Sequence, residues 1–135
     1  MSSHNIIKSV HDTFSNLSKK EVDSIYYTPN STYMIRVDGG NVYKIGRSRD
    51  PCFRIYGFMS SNPIIDIVKV VACDVERLMH LALDDYRVTP NREFFRFTDN
   101  EVTLTGKMMY AYGGCDMTDS IREGINKKER KEEVR

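Results

Sequence analysis

Ser31-Thr32-Tyr33-Met34-Ile35-Arg36-Val37-Asp38-Gly39-Gly40-Asn41-Val42-Tyr43-Lys44-Ile45-Gly46 is the stretch that decides the fold. Residues 32–37 are β-branched and aromatic, the types that fit a pleated, half-buried surface. Asp38-Gly39-Gly40-Asn41 is turn chemistry and residues 42–46 resume the strand pattern, so a hairpin is expected. Going outward, Asp50-Pro51 reads as an N-cap followed by proline at the first helical position. That predicts a short helix over residues 52–56, ended by Gly57. Asn62-Pro63 punctuates the chain, and residues 64–73 predict a third, largely buried strand. Asp74 should cap a helix from Val75 to about Tyr86, with Val75, Leu78, Met79, Ala82 and Tyr86 inward. Thr89-Pro90-Asn91 interrupts, and residues 93–97 predict a fourth strand. Thr98-Asp99-Asn100 begins another helix, closed by Gly113-Gly114. Met108, Met109, Tyr110 and Tyr112 read as its core stripe, and the mixed-charge stretch after Thr118 as a helix tip or tail.

On the N-terminal side, Ile6, Ile7, Val10, Phe14 and Leu17 recur at helical spacing. Ser18-Lys19-Lys20-Glu21 matches a capping box that opens a second helix carrying Val22 and Ile25. The element order αα–ββ–α–β–α–β–αα predicts an α+β fold, a small, mostly antiparallel sheet flanked by helices. Residues 1–30 would form N-terminal helices, residues 31–98 the core, and residues 99–135 C-terminal helices with a charged tail.

Composition narrows the function classes. The 135 residues suit one domain, and 20 Lys+Arg against 19 Asp+Glu leave a net charge of +1. A globally basic nucleic-acid binder is excluded, so any such affinity must come from a local patch. No apolar run reaches the roughly 18–20 residues of a membrane span, and residues 1–14 lack the continuous apolar core of a secretory leader. Cys52, Cys73 and Cys115 are widely spaced with no C-x-x-C pair, against a disulfide framework or a zinc site. They read as small buried thiols in a reducing, intracellular compartment.

Lys44, Arg47, Arg49 and Arg54 put four positive charges against Asp50 alone, a local cradle for phosphate. Thr32-Tyr33, ten residues, then Lys44-Ile45-Gly46, with Arg54 ten positions beyond Lys44 and Glu76 further on, resembles the GIY-YIG nuclease superfamily. Lys-Ile-Gly and the later Glu93-Phe94-Phe95 are most similar to its phage and large-virus branch. The resemblance covers about residues 31–97. It departs from the family pattern in Ser31-Thr32-Tyr33, which lacks the motif's Gly and Ile. It departs again at Lys44, which stands where the family has a second tyrosine, with Tyr43 beside it on the opposite strand face.

The resemblance implies a metal-dependent DNA endonuclease, cutting or nicking phosphodiesters, in a cytoplasm or nucleus. It implies Tyr33 and Lys44 as the paired motif residues and Arg54 as the phosphate-binding arginine. Glu76 would be the single carboxylate that binds Mg²⁺ or Mn²⁺, and Asn91 the late polar residue. Chemistry agrees on what such a site needs: an activated water, charge neutralisation at the phosphoryl oxygens and help for the leaving alkoxide. Tyr33 or Lys44 would take the water's proton if neighbouring charge lowered its pKa from about 10. His80, one turn beyond Glu76, would orient water or phosphate. Singly, each residue has an ordinary structural role: a sheet tyrosine, solvated cations, a helix-dipole glutamate and an edge-strand Glu93. Their joint spacing favours the site. The alternatives are a non-catalytic DNA-binding module of the same fold, and an adaptor that binds a protein partner through its terminal helices.

Overall fold

A computed structural model describes residues 4–38, 40–62, 65–88 and 93–133. Helix α1 (His4–Ser15) is followed by α2 (Lys19–Tyr26), strands β1 (Ser31–Val37) and β2 (Val42–Ser48), and α3 (Pro51–Met59). Then come β3 (Asp66–Val71), α4 (Glu76–Ala82), a 3₁₀ turn (Asp84–Tyr86), β4 (Phe94–Arg96), α5 (Asp99–Gly113) and α6 (Thr118–Glu133). The four strands form one antiparallel sheet in the order β3-β1-β2-β4. The expected α+β architecture and element order are what the chain adopts.

Both faces of the sheet are covered, which is why β1 is buried along most of its length instead of alternating. Met34, Tyr43, Ile45 and Phe95 pack with Ile6 and Val10 of α1, Leu78 and Met79 of α4 and Met109 of α5. Tyr33, Ile35 and Val70 pack on the other face with Ile55 of α3 and Ile121 and Ile125 of α6. The expected capping box of Ser18 with Glu21 forms, Thr98 makes a second one with Glu101 at the expected start of α5, and Gly114 ends α5 at φ 77°. Among the described residues, no helix is long and apolar enough to cross a membrane.

Several local expectations are corrected. Helix α3 runs through Gly57 to Met59, because Phe58 and Met59 pack against the Tyr33 cluster. That burial outweighs the roughly 1 kcal/mol that glycine costs in a helix. The third strand is shorter than expected. The Ala72 and Cys73 amides donate to Cys115 and Gly113 carbonyls instead of a neighbouring strand. Helix α4 stops at Ala82; Arg87 folds back to donate to the His80 carbonyl, at 3.0 Å, and to Asp84. Tyr110 is exposed, since adjacent residues point about 100° apart on a helix and Met109 takes the core position. Cys115 is exposed and Cys52 and Cys73 are half-buried. At Cys115 the backbone carbonyl accepts from the Ala72 amide, while the thiol stays at the surface. Pro63, Ile64 (the first residue of the expected third strand), Thr89, Pro90 and Asn91 lie outside the described residues, and with Asn91 goes the late polar residue of the expected site.

Candidate nucleic-acid site

The hairpin register places Tyr33 opposite Gly46 and Ile35 opposite Lys44. A Cβ on residue 46 would lie 2.5 Å from the Tyr33 hydroxyl oxygen and 2.7 Å from Cζ, so only glycine leaves room for that ring. Tyr33 is 1% exposed. Burial pushes its hydroxyl up from the usual pKa, and the Arg54 guanidinium beside it pulls back. The charges of Glu93 and Glu76 push it further up. This corrects the expectation of a depressed tyrosine: desolvation of the phenolate outweighs the cation next to it.

Lys44 extends over two rings, its Nζ 4.7 Å from the Phe58 centroid and 5.2 Å from Phe94. It also pairs with Glu93 at 3.0 Å. Arg54 stands on the N-terminal half of α3, its guanidinium carbon 5.5 Å from the Phe58 centroid. Phe58 therefore joins Lys44 to Arg54. Tyr43, the alternative second tyrosine, is buried on the opposite face against Phe97, ring centroids 5.8 Å apart.

Glu76 arrives from α4, and β1 sets its position. The Thr32 hydroxyl donates to the Cys73 carbonyl at 2.7 Å and accepts from the Val75 amide at 2.8 Å. This ties the start of α4 to the central strand. Asp74 accepts from the Glu76 amide and holds Arg47 at 3.2 Å. Helix α4 has no side-chain N-cap, because Asp74 lies one residue before the cap position that Val75 occupies. Burial pushes Glu76 up to a pKa of about 7, assisted by the Glu93 and Asp74 charges and opposed by Arg47 and Lys44.

One turn along, His80 Nε2 lies 2.8 Å from the Ile45 carbonyl. A carbonyl only accepts, so Nε2 carries the proton, and in the neutral ring Nδ1 is an acceptor. Burial, chiefly, lowers its pKa and favours that neutral form. The contact also explains how α4 reaches the site. Strand β4 pairs with β2 to Lys44, the Ile45 amide still donates to the Glu93 carbonyl, and the Ile45 carbonyl is met by His80.

Glu76, His80 and Arg47 line one cleft of about 460 Å³, together with Arg77, Leu81, Asp84 and Arg87. The expectation that Tyr33, Lys44, Arg54 and Glu76 would share one open concavity is met only in part. Glu76 lines the cleft, whereas Tyr33, Lys44 and Arg54 are not among its lining residues; Tyr33 and Lys44 are coupled to Glu76 through charge. The expected cradle is altered too, since Lys44 and Arg47 are matched by Glu93 and Asp74. Arg49 and Arg54 remain exposed. From the sequence, Glu93 reads as an edge-strand residue in a short motif, Thr32 as the neighbour of a motif tyrosine and Asp74 as a helix cap, none of them as a partner of the site's charges or of its α4 junction. The only signal for them was adjacency to motif residues.

Among the described residues, no group of three His, Cys, Asp or Glu side chains could hold a metal by itself. A site built on Glu76, with waters and substrate oxygens completing the shell, fits a cation that takes few carboxylates. The family model described as the T5orf172 domain matches residues 23–109, more than half of the chain. The chain belongs to the T5orf172 domain family. That family is phage-associated and DNA-binding or nuclease-like, and its match spans Tyr33, Lys44, Arg54, Glu76 and His80. No curated protein and no solved structure matches the chain.

Proposed function

We propose that this T5orf172 domain is a metal-dependent DNA endonuclease of GIY-YIG type. The observation that carries the reading is Glu76, a half-buried carboxylate lining a cleft beside Arg47 and His80. Its charge is felt at Tyr33 and it feels Lys44. A carboxylate whose ionised form is disfavoured by burial and by two acidic neighbours gains from a divalent cation, which neutralises it. Glu76 would hold Mg²⁺ or Mn²⁺. The cation, when bound, supplies charge neutralisation at the phosphoryl oxygens and assistance to the leaving alkoxide. Arg54 offers a planar fork to phosphate oxygens, and Arg49 adds charge along the strand. His80, neutral with Nδ1 as acceptor, suits the removal of a proton from water better than a tyrosine whose pKa is raised. Lys44, held by Phe58 and Glu93, keeps positive charge near the phosphate.

The test is supercoiled plasmid incubated with Mg²⁺ or Mn²⁺. The wild type should nick or linearise it, whereas Glu76→Ala should leave it intact while still retarding DNA. If wild type and Glu76→Ala leave plasmid equally intact and both retard DNA, the protein is a non-catalytic DNA-binding module of the same fold. One observation favours that second reading: Tyr33, the first motif residue, is almost wholly buried.

A further inference from the structure

Phe53 takes no part in either core, although it sits in the first turn of the site's own helix. It is 68% exposed, and it is the residue before Arg54 on α3. Its backbone amide is already satisfied by the Asp50 carboxylate at 3.0 Å, so the ring is the part without a structural task. Lys128 of α6 places its ammonium 5.5 Å from the Phe53 centroid and 5.4 Å from that of Tyr56. The exposed ring thus has Lys128 over it, with Arg54 exposed at the next position of the helix and Arg49 exposed just before the helix.

We propose that Phe53 is a stacking platform for an unpaired base of a DNA strand whose phosphates lie against Arg54 and Lys128. This rests on the DNA reading above and sharpens its substrate to one with bases out of the duplex. The charge is complementary to a phosphate backbone, and the ring is complementary to a base. Within a duplex each base is already stacked on both sides, so an exposed aromatic gains a stacking partner only from a single strand, a flap or an extruded nucleotide. Residues 53 and 54 diverge by about 100° around the helix. The ring and the guanidinium therefore address two parts of one nucleotide instead of competing for one.

Binding is measured in EDTA, so that nothing is cut, with a short single-stranded oligonucleotide carrying 2-aminopurine and with its duplex. The wild type should bind the single strand and quench the 2-aminopurine. Phe53→Ala should weaken single-strand binding about tenfold and abolish the quenching, leaving duplex affinity unchanged. Phe53→Trp should keep both. Because the ring is exposed, an unchanged melting temperature for Phe53→Ala confirms that folding is intact. Equal affinity of wild type and Phe53→Ala for the single strand overturns the proposal, as does an equal loss on single strand and duplex. Duplex binding by the wild type with no single-strand binding removes the platform and spares the DNA reading, whereas no binding to either at low salt removes both.

Discussion

Gly46 and Tyr33 show how a short motif acquires physical meaning at the scale of single residues. With 2.5 Å between a hypothetical residue-46 Cβ and the Tyr33 hydroxyl oxygen, Gly46→Ala must push the ring aside or bend β2. Overpacking of this kind costs about 1–3 kcal/mol, measurable by urea denaturation. The variant should also lose DNA affinity, because the tyrosine beside Arg54 moves. Glu76 gives a second residue-scale expectation. Its carboxyl, pushed up to about 7 in the fold, starts near the ordinary 4.5 in the unfolded chain. The native state therefore binds the proton more tightly, and this contribution to stability is fully present below pH 4.5 and lost as pH rises through 7. Glu76→Gln should flatten that stretch of the stability profile. At pH 8 it should be more stable than wild type by about 1–3 kcal/mol, read from denaturation midpoints across pH. A destabilised variant at pH 8 would contradict the strained carboxylate. Neither effect could be read from residue identity alone. Glu76 two residues after Asp74 reads equally well as a helix-dipole glutamate.

Elements were more legible than residues. Ser18-x-x-Glu21 and Thr98-x-x-Glu101 are local devices whose partners lie within one turn, so their helices start where the pattern says. The hairpin is likewise local. Helix ends governed by distant partners were not legible. Helix α3 overran Gly57 because Phe58 meets Tyr33, with ring centroids 6.5 Å apart. Helix α4 ended early because Arg87 closes on it. The junction between β1 and α4 is the element-scale feature with the most consequence for the site. Thr32 is wholly buried, and its hydroxyl serves the Cys73 carbonyl and the Val75 amide at once. Thr32→Val keeps the shape and strands both buried groups, at a cost of about 1–3 kcal/mol for each unsatisfied partner. Hydrogen exchange should show α4 opening first, and any plasmid cleavage should fall with it. Thr32→Ser, which restores the hydroxyl, should recover both.

At the scale of the whole molecule, a net charge of +1 means that DNA affinity depends on one patch. On the proposed reading Arg49, Arg54 and Lys128 are the cations that meet the strand, since Lys44 and Arg47 are held by acids. Two to four phosphates neutralised correspond to a log–log slope of affinity against salt of about −2 to −4. Titration of binding against NaCl checks this, and Arg54→Ala should lower the slope by about one. A slope near zero would mean that phosphate does not drive binding.

The amino-acid order by itself determined the elements, their order and the α+β class, because hydrophobic period, caps and turn residues act over a few neighbours. It also placed Tyr33, Lys44, Arg54 and Glu76 on the elements that carry them. Only the tertiary structure decided which charges meet. The Arg47–Asp74 pair and the cleft at Glu76 depend on α4 packing beside β2, the Lys44–Glu93 pair on β4 joining β2, and the buried tyrosine on α3 and α6 covering the other face. Contacts between residues this far apart in the chain are set by how surfaces pack, and no local pattern encodes that packing.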